Sequence, residues 1–283
     1  MRSYDIVGNI AVLKEEKGNK KRALAILREN PHVKTAVEKV GKFKGRLRKM
    51  QTRFLAGEKT KEVLYKENDC VFRFNLDETY FSPRLSNERK EIASKIGEKD
   101  KVLVMFAGVA PFSIVIAKRA KPMIVFSNEI NRQANKYAEL NIELNKVKGK
   151  VILVPGDARK LPQKMKELCS LRSLEKNVRA KSLTKSGLSK YLVQQNNLPK
   201  FDVIIMPRPQ LKDSFLDIAF KLCKKGTKIF YYDFCEVENK EKIIERIKSE
   251  AKKAKKKIKI LRIKDAGEIA PYKVRIRVDV KVL

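Results

Sequence analysis

The sequence predicts an α/β protein in two parts: a small α+β region over residues 1–85 and a Rossmann-like parallel sheet over 86–283 that ends in an antiparallel hairpin. Three observations carry this reading. From residue 101 to 254 short apolar runs alternate with helical patterns, as in βαβ units covered on both faces. The last two strand-like runs follow one another without a helix between them. Ahead of residue 86, basic residues alternate with apolar ones, as on a sheet with one solvated face.

Taken in order, "YDIVGNIAVLK" is an apolar run broken by Gly8-Asn9, a hairpin signal. In "KKRALAILRE" the residues Ala23, Ile26 and Leu27 share one helical face. "VKTAVEKV", "GRLRKMQTRFLAG" and "DCVFRFNL" read as further strands. The second part has strands "KVLVMF" (101–106), "PMIVFS" (122–127), "KVILVP" (150–155), "FDVIIM" (201–206) and "TKIFYY" (227–232), with helices at 111–120, 131–145, 159–170, 212–224 and 239–254. "KIKILRIK" and "YKVRIRVDVKV" form the closing hairpin. Residues 171–200 carry seven Lys or Arg and one Glu with weak periodicity, a basic insertion that is either a solvated loop or an RNA contact.

Composition excludes several classes. No apolar stretch is long enough to cross a membrane, and the N-terminus lacks a secretory layout, so a soluble, cytoplasmic protein is expected. Cys70, Cys169, Cys223 and Cys235 form no CxxC, and His32 is the only histidine, so neither a metal site nor a histidine-based triad is expected. The 66 Lys and Arg against 33 Asp and Glu leave a net charge of +33. Heat adaptation enriches Lys and Glu together, whereas here bases dominate, which points to a polyanionic partner.

Open parallel sheets bind ligands beyond the C-terminal strand ends. The first such turn, "VMFAGVAPFS", sets Ala107, Gly108 and Val109 before Pro111 at a helix start. It is not GxGxxG, and a plain tight turn is the alternative. The second strand ends in "FSNEIN", where Glu129 stands about 20 residues on, the place of a carboxylate that accepts from ribose hydroxyls. The third ends in "VPGDARKL"; its Asp157 is a cofactor contact or a helix N-cap. Phe106, Ile130, Ala158 and Met206 border these turns. The set fits S-adenosylmethionine better than a nicotinamide cofactor.

"YFSPRLSNERKEIA" (80–93), "MFAGVAPFSI" (105–114), "NKYAELNIELNKV" (135–147), "GDARKL" (156–161) and "AGEIAPYKVRIRVD" (266–279) resemble the archaeal and eukaryotic tRNA guanine-37 N1-methyltransferases. The likeness runs from near residue 4 to the end, apart from 171–200. It implies a class I S-adenosylmethionine-dependent methyltransferase, expected as a monomer, acting on position 37 of the tRNA anticodon loop. By the family motif Glu88 is the general base and Arg48 stabilises charge on guanine O6, while Tyr80 and Arg84 line the cofactor or the nucleotide-37 phosphate. Arg89, Pro207, Arg208 and Pro209 complete the implied substrate contacts. On the residues alone, the plainer reading makes Glu88 a surface helix residue paired with Arg89 or Arg84, and Arg48 one more phosphate binder.

Three departures from the pattern bear on function. Family members usually carry a further N-terminal module that contacts the tRNA elbow, and this chain is expected to start at the second module. Val104 stands in place of an acidic residue, and Ala110 in place of the second glycine of the turn. Strand four ends in "MPRP", with Pro207 in place of the Asn of N1-methylating enzymes. That resembles the subgroup that also methylates C7 of 4-demethylwyosine in the wyosine pathway, which implies dual specificity. The alternatives are a single-activity enzyme, a methyltransferase for another RNA position, and an RNA-binding protein with a degenerate pocket.

Overall fold

The computed structural model describes residues 4–41, 45, 47, 50–169, 198–208 and 211–283. Strand β1 (Tyr4–Val7) turns at Gly8-Asn9 into β2 (Ile10–Leu13); α1 (Asn19–Glu29) then crosses to β3 (Thr35–Lys39), parallel to β2, and β4 (Thr52–Gly57) closes the sheet. Ala23 and Ile26 of α1 pack on Ala11, Leu13 and Ala36. Ile10, Val12 and Val37 point the other way into the main core. The central strands are therefore buried on both faces, and the expected wet face is confined to the outer strands β1 and β4.

The hairpin of β5 (Glu62–Glu67) and β6 (Cys70–Asn75) turns at Asn68 and Asp69, both at positive φ. Strand β5 escapes the sequence reading because Val63 is its one buried residue and Leu64 faces solvent. The Gly8-Asn9 turn docks on its edge: Asn9 Oδ1 accepts from Leu64 N–H at 2.7 Å. A Cβ on Gly8, φ +59°, would lie 2.1 Å from the Leu64 carbonyl oxygen, so only glycine allows this approach.

Beyond a 3-10 turn (Pro83–Leu85) come α2 (Ser86–Ser94), β7 (Lys101–Met105), α3 (Pro111–Arg119), β8 (Ile124–Glu129), α4 (Arg132–Leu144), β9 (Val151–Pro155) and α5 (Leu161–Cys169). After the expected basic insertion, of which residues 171–197 lie outside the described residues, follow β10 (Phe201–Met206), α6 (Leu216–Lys221), β11 (Cys223–Glu236), α7 (Lys240–Lys253), β12 (Ile258–Ala270) and β13 (Lys273–Val282). They form one sheet, β12-β13-β11-β10-β7-β8-β9. Strands β11, β10, β7, β8 and β9 are parallel, and the β12–β13 hairpin adds antiparallel, as expected. Val102, Leu103, Val104 and Met105 of the central strand are fully buried, so an apolar Val104 is what this place in the sheet favours.

Two asparagines one turn apart tie the β5–β6 hairpin to the large sheet. On α4, Asn141 Oδ1 accepts from Arg73 N–H at 2.7 Å, and Asn145 Oδ1 accepts from Val71 N–H at 2.9 Å. Their amide groups return bonds to the Arg73 and Val71 carbonyls. Each amide side chain completes an edge that a neighbouring strand would otherwise fill. Burial pushes the Cys70 thiol up to about 11 and Cys223 up to about 12, so both are inert core thiols. Among the described residues no helix is long and apolar enough to cross a membrane, and no group of His, Cys, Asp and Glu could hold a metal.

Candidate active site

Strand order reverses between β7 and β10, and the turns after these two strands open a cleft of about 680 Å³, counting its mouth. The β7 exit is a strained turn, because Phe106, Gly108 and Ala110 all lie at positive φ, 57°, 58° and 65°. A Cβ on Gly108 would sit 3.2 Å from the Tyr80 carbonyl oxygen. Ala110 therefore takes a backbone state that suits glycine, which is why a glycine was expected there. The turn presents the Gly108 N–H to Glu129 Oε2 at 2.8 Å, and Asn131 N–H reaches Oε1 at 2.8 Å. Burial pushes the Glu129 carboxyl above the ordinary carboxylate range, against the pull of these N–H groups.

Tyr80, Phe106, Gly108, Glu129, Ile130 and Ala158 line this cleft, together with Pro207. Sequence reasoning missed Leu47, Asn128, Asn131, Ala134, Gly156 and Leu211. Asn131 carried a signal: it caps α4, accepting from Gln133 N–H at 3.0 Å, and its amide donates to the Glu78 carbonyl at 2.8 Å. Four expected cofactor residues do not line the cleft. Ala107, Val109 and Met206 are buried beneath the turns, and Asp157 caps the following 3-10 turn by accepting from Arg159 N–H at 2.9 Å.

Beside the cleft a smaller cavity, about 300 Å³ with its mouth, shares the walls Tyr80 and Pro207. Leu85, Arg208, Tyr232, Phe234 and Arg275 complete it. Arg275 donates to the Tyr80 hydroxyl at 3.3 Å and stacks over Phe234 at 5.0 Å. None of the three β11 and β13 residues, Tyr232, Phe234 and Arg275, was foreseen.

Glu88 does not reach either space. Its carboxylate lies behind Tyr232, whose hydroxyl donates to Oε2 at 2.9 Å. Arg277 donates to the same oxygen at 2.6 Å, and Lys264 to Oε1 at 2.6 Å. Glu91 joins through Arg277 and Lys264, Asp279 through Arg277 and Lys95. The result is an ion network, buried at Glu88, Arg277 and Asp279 and half-buried at Glu91, Lys264 and Lys95, that ties α2 to the C-terminal hairpin. The partners are neither Arg89 nor Arg84.

Of three further expected contacts, Arg89 and Arg84 line neither space and Arg208 lines the small cavity. Arg89 is buried, bidentate to Glu67, bonded to the Ser82 carbonyl at 3.0 Å and stacked over Phe81. Its guanidinium already has its partners in the core and lines neither of the two spaces. Arg84 is exposed and pairs at 3.9 Å with Asp5, away from the cleft. Arg208 touches the small cavity, but its guanidinium turns inward to Asp233 and Tyr231. Arg48 and Pro209 lie outside the described residues.

The TRM5/TYW2 methyltransferase domain matches residues 63–168. The tRNA (guanine(37)-N(1))/4-demethylwyosine(37)-methyltransferase Taw22 of Nanoarchaeum equitans is 35% identical over 303 residues, covering 99% of this chain and 100% of that protein. Among solved structures, wild-type Trm5b from Pyrococcus abyssi superposes with a TM-score of 0.77 at 31% identity, over 99% of this chain and 75% of that one. Methanocaldococcus jannaschii Trm5 in complex with adenosine gives a TM-score of 0.72 at 25% identity, over 100% of this chain and 74% of that one. Cleft, strand order and similarity along the whole chain agree, and the chain belongs to the TRM5/TYW2 family of class I methyltransferases.

Proposed function

We propose that the chain is an S-adenosylmethionine-dependent tRNA methyltransferase of the cytoplasm that acts at position 37 of the anticodon loop, on guanosine N1 and on C7 of 4-demethylwyosine. One observation carries the reading: the cleft and the small cavity share Tyr80 and Pro207, so a ligand in each would meet at that wall. The cleft residues fit the cofactor. Glu129 keeps acceptor capacity on both oxygens for a ribose diol, while Ile130, Ala134 and Ala158 offer an apolar wall to an adenine. When bound, S-adenosylmethionine supplies an electrophilic methyl group.

The chain's own contribution is mainly placement. A target base leaves the loop stack at modest cost because that loop is single-stranded. Tyr80, Pro207 and Phe234 give it apolar walls, and Arg275 faces its polar edge. Guanine N1 loses a proton as it gains the methyl. Tyr232 is the wall group that leads to a carboxylate: the N1 proton passes to its oxygen as its own proton moves to Glu88 Oε2. Burial holds the Tyr232 phenol well above its ordinary range, so it rests protonated and donating. At C7 the ring carbon attacks first, and the same route removes the proton afterwards. Pro207 offers no donor, which suits a tricycle that lacks the N1–H and amino edge of guanine.

A second reading of Glu88 is favoured by its two cationic partners, Lys264 and Arg277, which both belong to the hairpin: it is a tie between α2 and the hairpin only. Tyr232→Phe separates the two, since Glu88 keeps Arg277 and Lys264. Under the relay, kcat falls with KM and stability unchanged; an unchanged kcat leaves the tie. The function itself is tested by incubating unmodified and 4-demethylwyosine-containing tRNA with labelled S-adenosylmethionine and analysing the nucleosides. Label is expected in 1-methylguanosine from the first and in the C7-methylated tricycle from the second. Label in only one product would reduce the activity to that reaction, and label elsewhere in the tRNA would refute the assignment.

A further inference from the structure

We propose that Arg208 is a positioning residue: its inward-turned guanidinium fixes Pro207 and Leu211 together and thereby sets the opening of the wall shared by cofactor cleft and base cavity. Its side chain is buried at the end of β10. Nε donates to the Tyr231 hydroxyl at 3.1 Å, one terminal nitrogen to the Leu211 carbonyl at 2.9 Å, and that same nitrogen lies 3.3 Å from Asp233. Tyr231 donates to Asp233 at 2.9 Å, and Arg246 of α7 reaches the same carboxylate at 3.3 Å. Arg208 is thus joined to two residues of β11 and, across its own turn, to the backbone of Leu211.

Both ends of that turn matter to the site. Pro207 walls both spaces, and Leu211 lines the cleft. A strand stop needs no buried arginine; Pro207, which cannot donate to a ladder, already ends the strand. Taking a guanidinium out of water is costly unless its donors are matched, and here the planar fork meets a phenol, a carboxylate and a carbonyl at once. An ammonium in its place presents one point charge and cannot hold the three in the same plane. Arg208 therefore acts through Pro207 and Leu211, which makes it a determinant of cofactor hold and of which ring system is accepted.

The inference rests on the assignment of the two spaces to cofactor and target base. Its test uses the full chain with two variants, Arg208→Lys and Tyr231→Phe. KM and kcat for S-adenosylmethionine, the ratio of N1 to C7 product, and Tm are measured for each. Arg208→Lys is expected to raise the cofactor KM about tenfold and to change the product ratio, with kcat at saturating cofactor less affected. Tyr231→Phe, which touches neither space, is expected to move both readouts in the same direction by less. A fall in Tm with KM and ratio unchanged in both variants would overturn the proposal. Should Arg208→Lys fail to fold, Tyr231→Phe decides alone. If the parent protein methylates neither tRNA but binds cofactor, the functional assignment fails while calorimetric cofactor affinity of the variants still decides the role of Arg208; if it binds no cofactor, both fall.

Discussion

The two spaces that meet at Tyr80 and Pro207 are built by opposite means. The cofactor cleft is shaped by backbone: a turn at 106–110 with Phe106 and Ala110 at positive φ, and the N–H groups of Gly108 and Asn131, which hold Glu129, the one charged wall residue among those described. The base cavity is made of long side chains drawn from distant strands and backed by an ion network of buried Glu88, Arg277 and Asp279 with half-buried Glu91 and Lys264. A backbone site is set by φ and tolerates changes in its surroundings. A side-chain site depends on every charge behind it. The contrast predicts where each will break.

Arg277→Met should have the largest effect. It leaves Glu88, Glu91 and Asp279 facing one another with fewer cations, at a cost of about 3–5 kcal/mol in a denaturant titration. A loss under about 1 kcal/mol, the scale of a surface pair, would show that the network does not tie α2 to the hairpin. Acid probes the same network. Arg277, opposed by burial and helped by Lys264 and Lys95, holds the Glu91 carboxyl well below the usual carboxylate range. Its contribution is therefore complete above about pH 4.3 and is lost as pH falls further. Thermal melts of the parent should fall in that acid range, and those of Arg277→Met should fall less steeply.

The backbone site should respond in binding more than in stability. Glu129→Gln keeps the shape but removes a charged acceptor from Gly108 or Asn131 and from the ribose, so calorimetry should show S-adenosylmethionine affinity down about tenfold to a hundredfold. Unchanged affinity would remove Glu129 from the cofactor site. The smallest change should be a gain. Ala110→Gly relieves a left-handed alanine and is expected to stabilise the protein by about 0.5–1 kcal/mol, with cofactor affinity unchanged or better. A loss of stability would mean that the packing of the Ala110 methyl outweighs its strain.

The same contrast explains what could be read from the chain alone. The parallel sheet, its closing hairpin and the cleft were legible because strands, exit turns and Glu129 are local in sequence, and each turn announces itself by small residues or an acid at a strand end. The base cavity was not. Tyr232 and Arg277 meet Glu88 across 144 and 189 positions, a distance that no short pattern spans. Basic residues misled in a different way. Arg89 lies three and four positions before Ile92 and Ala93, so helical spacing puts it on the buried face of α2, but the family resemblance put it among the substrate contacts. Arg208 sits between prolines at a pocket rim, and only the Tyr231-Asp233 pair on β11 shows that it points inward.

The most direct test is a crystal structure of the protein with S-adenosylhomocysteine and an anticodon stem-loop. The expected result places the adenosine against Glu129, Ile130 and Ala158, and base 37, unstacked, between Tyr80, Pro207 and Arg275 with its N1 edge toward the Tyr232 hydroxyl. A base seated elsewhere, with that cavity empty while the adenosine fills the cleft, would contradict the account.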